Sequence, residues 1–228
     1  MLHLTIQKNI HKESLRVKIM TSVLVLAPHP DDETLGCGGS IRKHINKSEN
    51  VYVCFITKGE KSHYVHGIKH ISFEEVAKIR KTEALKAMGI LGVPQTNIIF
   101  LDFPDGDAWI YVDDIQMRLE QLITSIKPST IYCPHIDDGH LDHQTTYMAV
   151  KSALENLSSI QLELRYDIIW GILPSFNLKI DLSQDEYSTK EKAISVYQSQ
   201  ISLLGEDFFY SFLKPYEKFY VEILPRKE

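Results

Sequence analysis

A chain of 228 residues with 43% hydrophobic and 24% charged residues has the composition of a folded globular protein and not of a disordered or fibrous one. Its formal charge of −5 excludes the broad basic footprint on which nucleic-acid binding depends, so no nucleic-acid partner is expected. The length fits a single domain with a sizeable core.

In chain order, short β-branched apolar runs alternate with longer segments of helical periodicity. The runs are Val23–Ala27, Val51–Ile56, Asn97–Leu101, Thr130–Cys133 and Tyr166–Trp170. Near-continuous apolar strands of this kind are expected where helices cover both faces of a parallel sheet. The helices read as Ser72–Met88, with a Ser72/Glu75 capping box and a stop at Gly89, then Asp113–Ile126, His143–Leu157 and Thr189–Leu204. Alternating strands and helices predict a three-layer α/β domain, Rossmann-like, with a mostly parallel sheet. Its ligands should sit outside the carboxyl ends of the strands. The later runs Phe208–Tyr210 and Phe219–Leu224 are expected to complete the core or the sheet edge, and a homo-oligomer is not readable from the sequence.

Cys37, Cys54 and Cys133 form no CxxC pair, which argues against a disulfide framework or thiolate metal site and fits a reducing compartment. No stretch approaches the roughly 18 apolar residues of a transmembrane segment, and the first twenty residues are too often interrupted by charge for a secretory signal. A cytoplasmic location is expected.

Histidine, with 10 residues, is where the composition becomes informative. After the first strand comes Pro28-His29-Pro30-Asp31-Asp32-Glu33, and after the fourth His135-Ile136-Asp137-Asp138-Gly139-His140-Leu141-Asp142-His143. His29 and Asp32, three apart at a helix start, can converge on one point, and His140 or His143 could supply a third donor. Two imidazoles and one carboxylate leave a position open for water, the arrangement of a catalytic Zn²⁺ rather than a closed structural one. Capping of a helix by Asp is the ordinary alternative, but it accounts for one carboxylate and not for the histidines. Gly36, Gly38 and Gly39 do not make a dinucleotide-binding pattern and read as close helix packing. The histidines at 3, 11, 44, 63, 66 and 70 read as surface positions, with His63 and His66 near the pocket. Spacing alone does not decide which of Asp31 and Asp32, or of His140 and His143, binds metal.

PHPDDETLGCGG resembles the AHPDDE signature of the PIG-L/LmbE family of zinc-dependent deacetylases, and HLDH resembles its later HPDH signature. The likeness continues through Thr57–Glu60, Arg80–Glu83, Phe103–Gly106 and Tyr197–Gln200. It implies zinc ligation by His29, Asp32 and His143, with Asp31 as general base. It further implies a protonated His140 steadying the oxyanion and Asp142 orienting His140. Substrate contacts would fall to Arg80 and Asp105, although a surface salt bridge to Glu83 is an equal reading of Arg80. Phe103, Trp109 and Tyr111 could offer a stacking face. The implied substrate is a small-molecule conjugate of an N-acetylated amino sugar. Competing readings are a zinc amidohydrolase for another N-acyl compound, and a non-catalytic sugar- or nucleotide-binding protein. The likeness leaves out residues 1–20, read as an N-terminal extension before a single domain over residues 21–228. Pro28, Lys58 and Leu141 depart from the family pattern, and Lys58 affects the second loop.

Overall fold

The computed structural model describes residues 21–157 and 161–225; the N-terminal extension, with His3 and His11, lies outside them. Strands β1 (Ser22–Ala27), β2 (Asn50–Thr57), β3 (Ile98–Phe103), β4 (Thr130–Pro134) and β5 (Leu162–Asp167) run parallel. With β6 (Leu178–Asp181) and β7 (Tyr216–Leu224) they make a seven-stranded sheet in the order β3-β2-β1-β4-β5-β7-β6. The last two strands are antiparallel additions. The sheet is α/β and mostly parallel, as the alternating pattern predicts.

Successive side chains point to opposite faces of a strand, so each central strand feeds two cores. Val23, Val25, Val53 and Phe55 pack with residues of helices α1 (Asp32–Asn46), α3 (Phe73–Leu91) and α6 (Gln184–Ile194). Leu24, Leu26, Cys54 and Ile56 pack under α4 (Val112–Ile126) and α5 (Leu141–Asn156). Three short helices, α2 (Ser62–Val65), α7 (Gln198–Leu204) and α8 (Glu206–Ser211), flank the carboxyl edge. Among the described residues no helix is long and apolar enough to cross a membrane.

The expected elements differ from the structure in places with identifiable causes. The fifth strand lies at Leu162–Asp167 and not Tyr166–Trp170, because only alternate residues are buried and Glu163 and Arg165 interrupt the apolar run. Helix α3 keeps its capping box but passes Gly89 and stops at Gly92, the residue with positive φ (92°). The segment Thr189–Leu204 is two helices, broken around the fully buried Tyr197, whose hydroxyl donates to Glu33. Helix α1 is broken at Cys37, and beyond the break Glu217 of β7 accepts from Gly39 and Ser40 N–H at 2.8 Å each. Lys190 neutralises that buried carboxylate at 2.7 Å. The glycines of this turn pack closely: a Cβ on Gly36 would stand 2.1 Å from Asp167 Oδ2. His44 and His63 are buried, contrary to the surface reading, and His44 Nε2 bonds Tyr132 Oη at 2.9 Å.

Candidate active site

The strand order reverses between β1 and β4, the switch point at which open α/β sheets bind ligands. Both histidine-bearing segments begin there. Asp31 ends the β1 loop at φ 147°, ψ −30°, a conformation that costs a non-glycine residue about 1–3 kcal/mol. Its neighbours hold it. Glu33 Oε2 accepts the Asp31 N–H at 3.0 Å, and Arg80 Nη2 donates to Pro30 O at 2.8 Å and to Asp31 Oδ1 at 2.9 Å. Arg80 Nη1 donates to Gly59 O at 3.0 Å, and Gly59, at φ 65°, leaves no room for a Cβ against the guanidinium. Arg80 is not in a surface salt bridge with Glu83: it is 4% exposed, pairs with Asp31 and lines the cavity, while Glu83 accepts from Ser199.

Three donors converge beside Asp31. His29 Nδ1 and His143 Nε2 lie 3.3 Å apart, and Asp32 Oδ2 is 3.2 Å from the first and 3.1 Å from the second. A tetrahedral ion with bonds of about 2.0–2.2 Å has donor-to-donor edges of about 3.3–3.6 Å, so the residues present fit a Zn²⁺-sized ion with an open fourth position. Burial opposes the charged form of His143, but Asp32 and Asp138 outweigh it and push its pKa up to about 9. Burial alone would raise Asp32; the charges of His143 and His29 hold it well below the usual carboxylate range. Burial drives Asp31 up to about 7 against the opposing pull of Arg80.

The other edge of His29 faces carboxylates. Its Nε2 is 3.1 Å from Asp142 Oδ2 and 3.2 Å from Asp105 Oδ1. The remaining valences of Asp142 are filled by Gly106 N–H at 2.7 Å and Ala108 N–H at 3.2 Å. Its carboxylate thus supports His29, while its backbone N–H is the group that meets His140. Asp105 lines the cavity, and its second oxygen accepts the Lys61 N–H at 2.9 Å.

His140 caps α5: its Nδ1 accepts the Asp142 backbone N–H at 3.2 Å. The neutral ring then carries its proton on Nε2. Burial, followed by the charges of His29 and His143, pushes its pKa down to about 4, so in the metal-free protein the ring is a neutral N–H donor. A ring nitrogen of His140 also falls within 4.8 Å of those of His29 and His143, but Asp32 touches both partners more closely.

Two residues of consequence carried no role in the sequence reading. Fully buried Asp138 places Oδ2 3.1 Å from His143 Nδ1, off the line of the N–H, and accepts Ile169 N–H at 2.8 Å. Such carboxylates fix the orientation of a metal-binding imidazole. Glu33, accepting from Tyr197 and Thr34, braces the strained Asp31. The signal for both was faint, an acid adjacent to one already assigned.

These groups open into a solvent-connected cleft at the carboxyl edge of the sheet. His29, Asp31, Asp32 and His140 form its floor, and Lys61, His66 and Arg80 contribute to its walls. Phe103, Trp109 and Tyr111 do not line it; Phe103 and Tyr111 pack on the α4/α5 core, and Trp109 is half exposed.

The fold and site define a Rossmann-like α/β protein with a buried two-histidine, one-carboxylate centre at its switch point. The chain belongs to the PIG-L family, described as GlcNAc-PI de-N-acetylase, whose model matches residues 24–154. It is 31% identical over 143 residues to the uncharacterized deacetylase YaiS of Escherichia coli, covering 60% of this chain and 70% of that one. It is 26% identical over 194 residues to the diacetylchitobiose deacetylase of Thermococcus kodakarensis, covering 78% and 69%. The solved N,N'-diacetylchitobiose deacetylase of Pyrococcus horikoshii shares the fold with a TM-score of 0.73 at 22% identity, over 90% of this chain and 85% of that one.

Proposed function

We propose that this protein is a zinc-dependent hydrolase that removes the acetyl group from an N-acetylglucosamine-type sugar or its conjugate, working as one catalytic domain over residues 21–228 in the cytoplasm. The observation that carries the reading is the trio His29, Asp32 and His143, with donor atoms 3.1–3.3 Å apart, beside a carboxylate held in a strained backbone. Relatives named for deacetylation of diacetylchitobiose support the amide of an acetylated amino sugar as substrate. Three buried free thiols fit a reducing compartment.

His29, Asp32 and His143 would hold the ion, which when bound acidifies water and polarises a carbonyl. Asp31, poised near neutral by its burial, takes the proton of the attacking water as its oxygen bonds the acyl carbon. His140 Nε2–H donates to the carbonyl oxygen as negative charge develops there, a contact typically worth about 2.7–4 kcal/mol. Asp31 then delivers its proton to the nitrogen as the C–N bond breaks, leaving acetate and a free amine. Asp105 and Asp142 keep His29 oriented, and Asp138 does the same for His143.

The test is metal analysis of the purified protein followed by primary-amine release from a panel of N-acetylglucosamine conjugates. Stoichiometric zinc and metal-dependent release are expected. A protein that binds zinc and deacetylates only non-sugar N-acyl compounds would keep the chemistry and overturn the substrate.

A further inference from the structure

The cavity is chemically two-sided. Its floor is polar, but the wall that rises from it is apolar: Leu35 and Ile169 at depth, then Leu204, Phe208, Trp170 and Val65 toward the mouth. Exposure rises along that wall from 2% at Leu35 and 5% at Ile169 to 37% at Trp170 and 69% at Val65. Trp170 and Phe208 stack with ring centroids 4.9 Å apart at 24°, a preformed flat face. The Trp170 backbone is fixed from behind, since its main-chain N–H donates to Asp138 Oδ2 at 3.2 Å and its carbonyl accepts the Gly139 N–H at 2.8 Å. Ile169, Trp170, Leu204 and Phe208 all come after residue 154, outside the segment matched by the family.

The two cations that line the cavity are already engaged, Lys61 with Asp107 and Arg80 with Asp31. An anionic carrier would have to break one of these pairs, whereas an apolar group needs only to displace water from Trp170 and Phe208.

We infer that the Trp170/Phe208 wall is a subsite for an apolar, aromatic or alkyl, aglycone on the amino sugar, and that it sets the enzyme's choice among conjugates. The inference rests on the deacetylase reading. With the amide at the buried floor, the part of the substrate most remote from it reaches the exposed rim. That part is the aglycone, while Leu35 and Ile169 enclose the small acetyl methyl.

The experiment compares the zinc-loaded enzyme on N-acetylglucosamine, its p-nitrophenyl glycoside, its 1-phosphate and N-octanoylglucosamine, reading amine formation. The aryl glycoside should show kcat/KM about tenfold above the free sugar and the phosphate, the scale of a well-made apolar contact. Trp170→Ala and Phe208→Ser should bring that ratio close to one, mainly through KM for the aryl glycoside, and Trp170→Phe should retain most of it. Melting temperatures verify that the variants are folded. Equal kcat/KM for aryl glycoside, free sugar and phosphate would overturn the inference while leaving the deacetylase reading intact. So would preference for the N-octanoyl sugar, which would assign the wall to an acyl chain, or an unchanged ratio in both variants. Release from none of the sugars would overturn both.

Discussion

Arg80 and Asp31 form a buried pair in which one guanidinium nitrogen, Nη2, donates both to the Asp31 carboxylate at 2.9 Å and to the preceding carbonyl of Pro30 at 2.8 Å. The contact restrains the side chain proposed as base and the strained backbone that presents it. Replacing Arg80 by Lys substitutes a point charge for a planar fork that makes three bonds here. Arg80→Lys is expected to lower kcat about 10–100-fold with zinc content unchanged. Steady-state kinetics beside metal analysis check this, and loss of zinc would assign Arg80 a different role.

Asp31→Asn removes the proton acceptor and leaves the donor trio intact. Turnover should fall about 10²–10⁴-fold while zinc remains bound. His140→Ala should likewise lower kcat with metal retained, whereas His143→Ala should lose the metal. A metal-depleted His140→Ala protein would reverse the two histidines.

The supporting carboxylates should behave differently from the base. Asp138→Asn and Asp142→Asn are each expected to weaken zinc binding about 10–100-fold, measured by competition with a chromogenic chelator. If Asp142→Asn lowered kcat alone, the residue would act on His140 after all.

Metal binding should release protons. In the metal-free protein the His143 pKa is pushed up to about 9 and that of His29 is also raised, and both must deprotonate to donate a lone pair. Zinc affinity should therefore climb with pH to about 9. Stability of the metal-free protein should run the other way. His29, His143, Asp31 and Glu33 all have folded-state values above their unfolded ones, whereas His140, His44 and His63 are shifted down and oppose them below about pH 6.5; the folded state therefore loses stability as pH rises from about 6.5 to 9. Calorimetry in buffers of differing ionisation enthalpy and melting curves against pH test the two slopes.

Gly36→Ala would drive a methyl into Asp167 at 2.1 Å. A loss of about 1–3 kcal/mol is expected in chemical denaturation, the ordinary cost of overpacking. Asp167→Ala should recover part of it in the double variant, because the clash is with that side chain alone.

The sequence by itself determined the α/β class, most of the parallel strands and the two segments that carry the chemistry, because strand burial and helix capping leave local patterns in residue type. His29, Asp31, Asp32, His140 and His143 could be named as candidates because they cluster within two short stretches. What only the tertiary structure decided was which atom each side chain faces. Arg80 meets Asp31 because α3 passes the β1 loop, and Asp142 turns to His29 because α5 starts beside the Gly106 turn. The aromatic wall arises where the loop after β5 meets α8, 38 residues apart in the case of Trp170 and Phe208. Those pairings depend on the crossover of distant strands, and no local periodicity encodes them. Direction and partner are set by packing, whereas residue type and spacing are all that a sequence displays.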